Sequence, residues 1–385
     1  MNLKLVSSLA VSSVLILGAG NAMAEDTVNI GGLFETSGFL ASLGKPGLEG
    51  AQLAVEEINE AGGVNGMQVE FTNINTESDN TKAVSATKRL LEQDDLVGII
   101  GAMNSGSSYA IVGTVKRAGI PVIANGGSRG IVLPPEEKKW MFLAPLTDKL
   151  VQSVMLEDMK ARGVTKIALL NADSGFGTSG REQLEGAVAD YGIEIAIQET
   201  FGNSDKDMTP QLTKVRSRAA QATVIWATGA GQAIATKNFR QLGIDMPLYL
   251  SHAANDFNFV RLAGDAANGV LIPSSKLYVL DSLKDDDPQK PVIAKFVKNY
   301  ETKYGYLPAT FAGNGYDATR LMLAAVQKAG KDKQKIRDAI ENTKDFVGVT
   351  AVYSYSPKDH FGALQSSVVL LSVDKGQFIL ASQAL

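Results

Sequence analysis

Three stretches rich in glycine, serine and asparagine carry the residue types best suited to holding a small anion: Gly101-Ala102-Met103-Asn104-Ser105-Gly106-Ser107-Ser108-Tyr109, Ala124-Asn125-Gly126-Gly127-Ser128-Arg129-Gly130 and Asn171-Ala172-Asp173-Ser174-Gly175-Phe176-Gly177-Thr178. Each follows a β-rich run. Small residues let the backbone approach a ligand closely, and N–H groups with serine hydroxyls at the start of a helix suit an anion with no lysine required. Ser105, Gly106, Ser107 and Ser128 fit that chemistry. The alternative for Ser107 or Ser108 is service as the N-cap of its own helix. Arg129 is either a partner for a carboxylate or phosphate, or a solvated side chain beside a glycine loop.

Other chemistry finds less to draw on. Residues 175–180 spell G-x-G-x-x-G between a strand and a helix, with Glu199 about twenty residues on, as a dinucleotide site would want. Four residues separate the strand end from Gly175, however, whereas that fingerprint needs its first glycine at the strand end. No nucleophile elbow, P-loop or H-E-x-x-H motif is present. The chain has no cysteine and two histidines, His252 and His360, far apart in sequence. Thiol nucleophiles, thiolate metal sites and histidine clusters therefore drop out, and neither a metal nor a cofactor is expected. His252 follows the strand at 248–250, where it is either a ligand contact or a structural histidine. Phe176, Trp226 and Tyr278 also sit near strand ends, as pocket walls or as core.

The elements that must position these residues alternate. Strands are expected at 28–33, 69–73, 96–100 and 120–124, with helices at 47–60, from Asp79, and at 107–118. After the segment 140–146 the pattern restarts with strands at 166–171, 193–198, 223–227, 248–250 and 269–273. Its helices fall at 178–190, from Asp207, at 231–242 and at 255–263. Two parallel sheets covered by helices follow from this order. The stretch 281–291, with three consecutive aspartates and two prolines, reads as a solvated loop. Helices at 292–304, 311–329 and 334–342 have no strands between them, so they cover existing sheets. A hairpin at 365–373 and 377–381 closes the chain.

The N-terminus has a charged start at Lys4, an apolar run over 5–18 and Ala22-Met23-Ala24, the pattern of a cleaved export signal over residues 1–24. Removing Lys4 leaves 36 basic and 41 acidic residues, a balance of −5 that speaks against nucleic acid. Without disulfides an exported chain of this length must rely on its core.

At these loops the chain resembles the periplasmic leucine/isoleucine/valine-binding protein family, the type I solute receptors of ATP-driven (ABC) importers. The markers are residues 51–66 (AQLAVEEINEAGGVNG), 99–108, the 173–177 turn, 262–272 (LAGDAANGVLI) and Gly315-Tyr316-Asp317-Ala318. The resemblance implies an α/β fold of two Rossmann-like lobes joined by a three-strand hinge. Its crossings would fall near Pro145, Ser274 and Val347, so lobe 1 spans 25–145 plus 275–346 and lobe 2 spans 146–274 plus 347–385. It further implies a periplasmic, non-enzymatic receptor that closes over a small carboxylate-bearing solute and hands it to membrane permease and ATPase subunits. Nothing demands more than a monomer.

In the same resemblance, Ser105, Gly106, Ser107 and Ser128 match the groups that hold the ligand carboxylate, and Phe176 the aromatic that covers it. Two positions depart from the family pattern. His252 stands where amino-acid binders place a carboxylate against the ligand ammonium, and Leu43 where a tyrosine often lines the pocket. A histidine does not neutralise an ammonium as a carboxylate does, so an aromatic, keto or short aliphatic acid suits the site unless Asp173 or Asp256 supplies the anion. The competing functions are a sensor of the same fold for a membrane signalling partner and an exported α/β enzyme.

Overall fold

The computed structural model describes residues 27–383 apart from residue 203, so the export signal and its cleavage site lie outside the described residues. The first half of the chain builds a five-stranded parallel sheet. Its elements are β1 (Thr27–Leu33), α1 (Ala41–Glu60), β2 (Gln68–Asn73), α2 (Asn80–Leu91), β3 (Leu96–Gly101), α3 (Ser105–Ala118), β4 (Val122–Ala124) and β5 (Met141–Leu143), in strand order β2-β1-β3-β4-β5. β3 is buried throughout, because helices cover both faces of a parallel sheet.

A second sheet follows from α4 (Asp148–Ala161), β6 (Lys166–Asp173), α5 (Gly175–Ala187), β7 (Glu194–Gly202), α6 (Thr209–Arg216), β8 (Ala222–Trp226), α7 (Gly229–Gln241), β9 (Leu248–Leu250), α8 (Phe257–Ala263) and β10 (Leu271–Ser274). The chain then runs through α9 (Lys290–Tyr304), α10 (Thr310–Ala329), α11 (Lys333–Glu341) and the short pair β11 (Phe346–Val347) and β12 (Val352–Tyr353). It ends on β13 (Val369–Asp374) and β14 (Gln377–Leu380), which add antiparallel to β10. The seven-stranded sheet has the order β14-β13-β10-β9-β8-β6-β7.

Helix α10 returns to the first sheet and packs on α1 closely enough that only glycine fits. A Cβ on Gly50 would stand 1.9 Å from the Ala312 carbonyl oxygen, and one on Gly315 would stand 2.0 Å from that of Gly47. The same contact carries α1 back to Ala41, six residues before its expected start, through Pro46. Gly44-Lys45-Pro46-Gly47 has the composition of a turn, but its glycines serve the packing instead.

The third crossing lies later than Val347. Asp317, fully buried on α10, accepts the Val349 and Thr350 amides at 2.8 and 2.7 Å. Tyr355 donates to the Leu143 carbonyl at 2.8 Å, and the Leu143 amide donates to the His360 carbonyl at 3.0 Å. Residues 347–364 thus belong with the first lobe. The chain meets the second only at Gln365, whose amide donates to Ser153 on α4 at 3.1 Å. β11 and β12 pair with each other, and Tyr353 of β12 bridges Ala363, but neither joins a lobe's main sheet, so what holds this segment is a buried aspartate and strand β5, contacts that no local sequence pattern announces.

Candidate functional site

Both sheets reverse strand order beside the strand that founds them, the first between β1 and β3 and the second between β6 and β8. Loops diverge at such points and leave a crevice beyond the strand ends. The two crevices face each other and enclose a cavity of about 520 Å³, whose lining includes Phe39, Leu40, Met103, Ser105, Gly106, Asp173, Phe176 and Thr228.

Four helices start at this cavity. The N-terminal residues of α2 (Asn80), α3 (Ser105) and α5 (Gly175) line it, as does Thr228, which precedes α7. The first N–H groups of a helix have no partner within it and carry partial positive charge, so four converging starts direct partial positive charge at the cavity. Among the described lining residues there is no lysine or arginine.

The helix caps explain how these residues come to face the ligand space. Asn104, not Ser107 or Ser108, caps α3, its side-chain oxygen accepting from the Ser107 amide at 2.8 Å. Ser174 caps α5 through the Gly177 amide at 3.0 Å. Both helices therefore begin two or three residues before the expected starts, which places Ser105, Gly106, Gly175 and Phe176 in first turns.

Of the expected site residues, the structure gathers Leu43, Ser105, Gly106, Phe176 and His252 at the cavity wall. Ser107, Ser128 and Arg129 are elsewhere. Ser107 is buried behind the wall, its hydroxyl joined to Asn104 and Asn80 at 2.9 and 3.2 Å. Ser128, also buried, donates its hydroxyl across the cleft to the Gly175 carbonyl at 3.4 Å, and its amide to Ser105 Oγ at 3.3 Å. Arg129 points away from the cavity. Its guanidinium donates to Gln183 on α5 at 3.1 Å and lies 5.2 Å over the Phe361 ring, and these two contacts hold it off the cavity lining. All three support or bridge the site without lining it.

The second-lobe wall is aromatic. Phe176 stacks on the buried Trp226 at 5.5 Å, and His252 meets both rings edge-on at 5.3 and 5.9 Å. Burial pushes the His252 imidazole down to about 4, the Leu146 carbonyl offsetting little of it, so the ring is neutral at pH 7. Its Nδ1 has no hydrogen-bond partner. The glycines of the G-x-G-x-x-G string serve this packing: a Cβ on Gly177 would stand 1.9 Å from the Ala172 carbonyl oxygen, and one on Gly180 would stand 2.1 Å from Trp226 Nε1.

Two acidic residues reach the lining. Asp79 is engaged as the cap of α2, accepting from the Lys82 amide at 2.8 Å, and Asp173 ends β6. Asp256 does not line the cavity. It is buried as the cap of α8, and that burial raises its carboxyl to about 6.

Sequence reasoning did not single out Asn125 and Asn314. Both are buried and line the cavity, and neither Nδ2 nor Oδ1 of Asn125 has a partner. An amide left unsatisfied in a buried wall is expensive, and a polar ligand group would relieve it. Its place in the glycine loop after β4 was the available signal for Asn125. Asn314 lies inside a helix, where no signal marked it. Among the described residues, no cluster of histidine, aspartate or glutamate could hold a metal ion, and no helix is long and apolar enough to cross a membrane.

The profile of a family described as periplasmic binding protein matches residues 27–377. The Leu/Ile/Val-binding protein homolog 7 of Brucella abortus (strain 2308) is 24% identical over 357 residues, covering 89% of this chain and 88% of that protein. The leucine-, isoleucine-, valine-, threonine-, and alanine-binding protein of Pseudomonas aeruginosa is 24% identical, with 84% of each chain covered. Among solved structures, an extracellular ligand-binding receptor from Rhodopseudomonas palustris HaA2 superposes with a TM-score of 0.86 at 23% identity, over 92% of this chain and 99% of that one. The branched-chain amino acid transporter substrate binding protein LivJ from Streptococcus pneumoniae, in complex with isoleucine, gives 0.79 at 27% identity, over 92% and 98%.

Proposed function

This chain belongs to the periplasmic binding protein family, whose members bind solutes rather than transform them, and from that premise we propose that it captures a small carboxylate-bearing solute for an ABC importer. The observation that carries the reading is the convergence of four helix starts on a cavity whose lining supplies no cationic side chain. Such a site favours an anion through backbone dipoles. The carboxylate is held at Ser105 and Gly106, with the Ser128 loop behind them. The body of the ligand lies against Leu43, Met103, Phe176 and Phe311.

The neutral His252 favours a ligand end without an ammonium, such as an aromatic, keto or short aliphatic acid. A second reading, an ordinary α-amino acid, is favoured by Asp173, which lines the cavity and offers a carboxylate to an ammonium. The names of the Brucella and Pseudomonas relatives support that class too. Calorimetry with leucine, 4-methyl-2-oxopentanoate, benzoate and phenylacetate separates them. Micromolar binding of an acid lacking the amino group, with leucine at least ~100-fold weaker, is the expected result. Tight leucine binding that disappears in Asp173→Asn would establish the second reading, and failure of every acid to bind would remove the carboxylate.

A further inference from the structure

Glu35 lies two residues past the end of β1 and is fully buried behind the cavity-lining Met103 and Asn104. Its Oε1 accepts from Asn104 Nδ2 at 2.6 Å, and its Oε2 accepts from the Met103 amide at 3.2 Å. Met103 and Asn104 both line the cavity, and Asn104 in turn caps α3. One buried carboxyl thus holds the two residues that lead into the helix whose first turn faces the ligand.

Among the described residues, no cation acts on this carboxyl. The charged groups at the ends of the elements that face it are Lys45 and Glu49 in the first turns of α1, and Glu77, Asp79 and Lys82 at the start of α2; Glu56, Glu57 and Glu60 lie farther along α1, and Lys88 and Arg89 farther along α2. Asp79 is committed to its helix cap, and Lys82 pairs with Glu77 at 2.6 Å. The groups that favour its charged form are neutral hydrogen-bond donors: its own backbone amide, Asn104 and Met103. Burial outweighs them and pushes the carboxyl up to about 7. Thr76 Oγ1 is buried with no hydrogen-bond partner and can accept the proton of the neutral acid.

We propose that Glu35 is a positioning residue for the anionic end of the ligand, setting Met103 and Asn104 at the start of α3, and that it takes up a proton when an anion fills the cavity. The inference rests on the carboxylate reading above. An anion in the cavity and an ionised Glu35, with Met103 and Asn104 between them, repel, so the bound anion favours the neutral acid. The sign follows. Below about pH 6 the carboxyl is already neutral and little proton is taken up; through pH 7 and above, binding must protonate it, and affinity falls by up to ~10-fold per pH unit. Folding stability changes in the same direction, because a raised carboxyl contributes fully below about pH 4.5 and loses that contribution as pH rises through 7.

The test is calorimetry of the intact protein with benzoate and with 4-methyl-2-oxopentanoate at pH 7.5, in phosphate and in Tris, whose ionisation enthalpies differ. Uptake of roughly 0.5–1 proton per bound anion is expected in the wild type. In Glu35→Gln the uptake is lost and the affinity becomes flat between pH 6 and 8, while Glu35→Ala, which leaves Asn104 without its partner, weakens binding further than Glu35→Gln does. An isotope-labelled Glu35 carboxyl followed by NMR in the ligand-free protein should titrate near neutrality. Binding without proton uptake, or uptake that survives in Glu35→Gln, overturns the inference and leaves the carboxylate reading standing. Failure of both probes and of every other acid removes the carboxylate reading, and the inference with it. A Glu35 carboxyl that titrates below pH 5 overturns the inference whichever ligand binds.

Discussion

The first-lobe wall of the cavity meets a ligand with backbone and small polar groups: the opening turn of α3, Ser105, the unsatisfied Asn125 and, beneath them, the buried Glu35. The second-lobe wall meets it mainly with rings, Phe176 on Trp226 with a neutral His252 at their edges. Directional donors are sensitive to charge and position, whereas stacked rings are sensitive to shape and area. On the proposed carboxylate reading, the first lobe recognises the acid group and the second selects what is attached to it.

That division can be broken at the point where the walls touch. A Cβ on Gly127 would stand 2.8 Å from His252 Nε2 and 3.0 Å from the Phe176 ring, so Gly127→Ala wedges the lobes apart. Affinity should fall on the order of 10²–10³-fold because the closed arrangement is disfavoured. Small-angle scattering should show a protein that no longer compacts with ligand, while its melting temperature in the free form stays within a few degrees. Phe176→Ala removes a ring that lines the cavity and should cost roughly 2 kcal/mol, about 30-fold in Kd by calorimetry, without altering the preference for an acid.

His252 sharpens the comparison through pH. Its folded-state value near 4 lies below the ordinary value of 6.5, so its contribution to stability is complete above about pH 6.5 and is lost as pH falls through 4. Allowing for the ring's partial access to the cavity, that amounts to roughly 2 kcal/mol. Chemical denaturation of His252→Phe across pH 4–8 should show a flatter acid limb. The smallest effect belongs to Arg129→Ala. Its bond to Gln183 bridges the lobes outside the cavity, so closure should weaken by only about 0.5–1 kcal/mol, a few-fold in Kd that is the same for every ligand. A change in which acid is preferred would return Arg129 to the ligand site.

Much of the first-lobe wall was legible in the sequence because glycine, serine and asparagine after an apolar strand are local signals with a local cause. Ser105 and Gly106, singled out in this way, line the cavity. The same signals misled about helix starts, since Asn104 and Ser174 cap earlier than residues of loop composition suggest. Ser107, Ser128 and Arg129 show the limit of loop reading. A loop can be placed at the rim from its composition, but which of its side chains turns inward depends on contacts such as Ser128 with Gly175 and Arg129 with Gln183. Glu35 was invisible for the opposite reason. Nothing near it in sequence marks it as buried; residues 68 and 69 positions away hold it there. The third crossing was likewise misplaced at Val347, because long-range bonds from Asp317 and Leu143 decide it.

The most direct test is the crystal structure of the complex with the tightest-binding acid. The expected result places a carboxylate oxygen within about 3 Å of Ser105 Oγ and the Gly106 amide, with the remainder of the ligand against Phe176. A ligand bound the other way round, with its carboxylate at His252 and its apolar end at the start of α3, would contradict it.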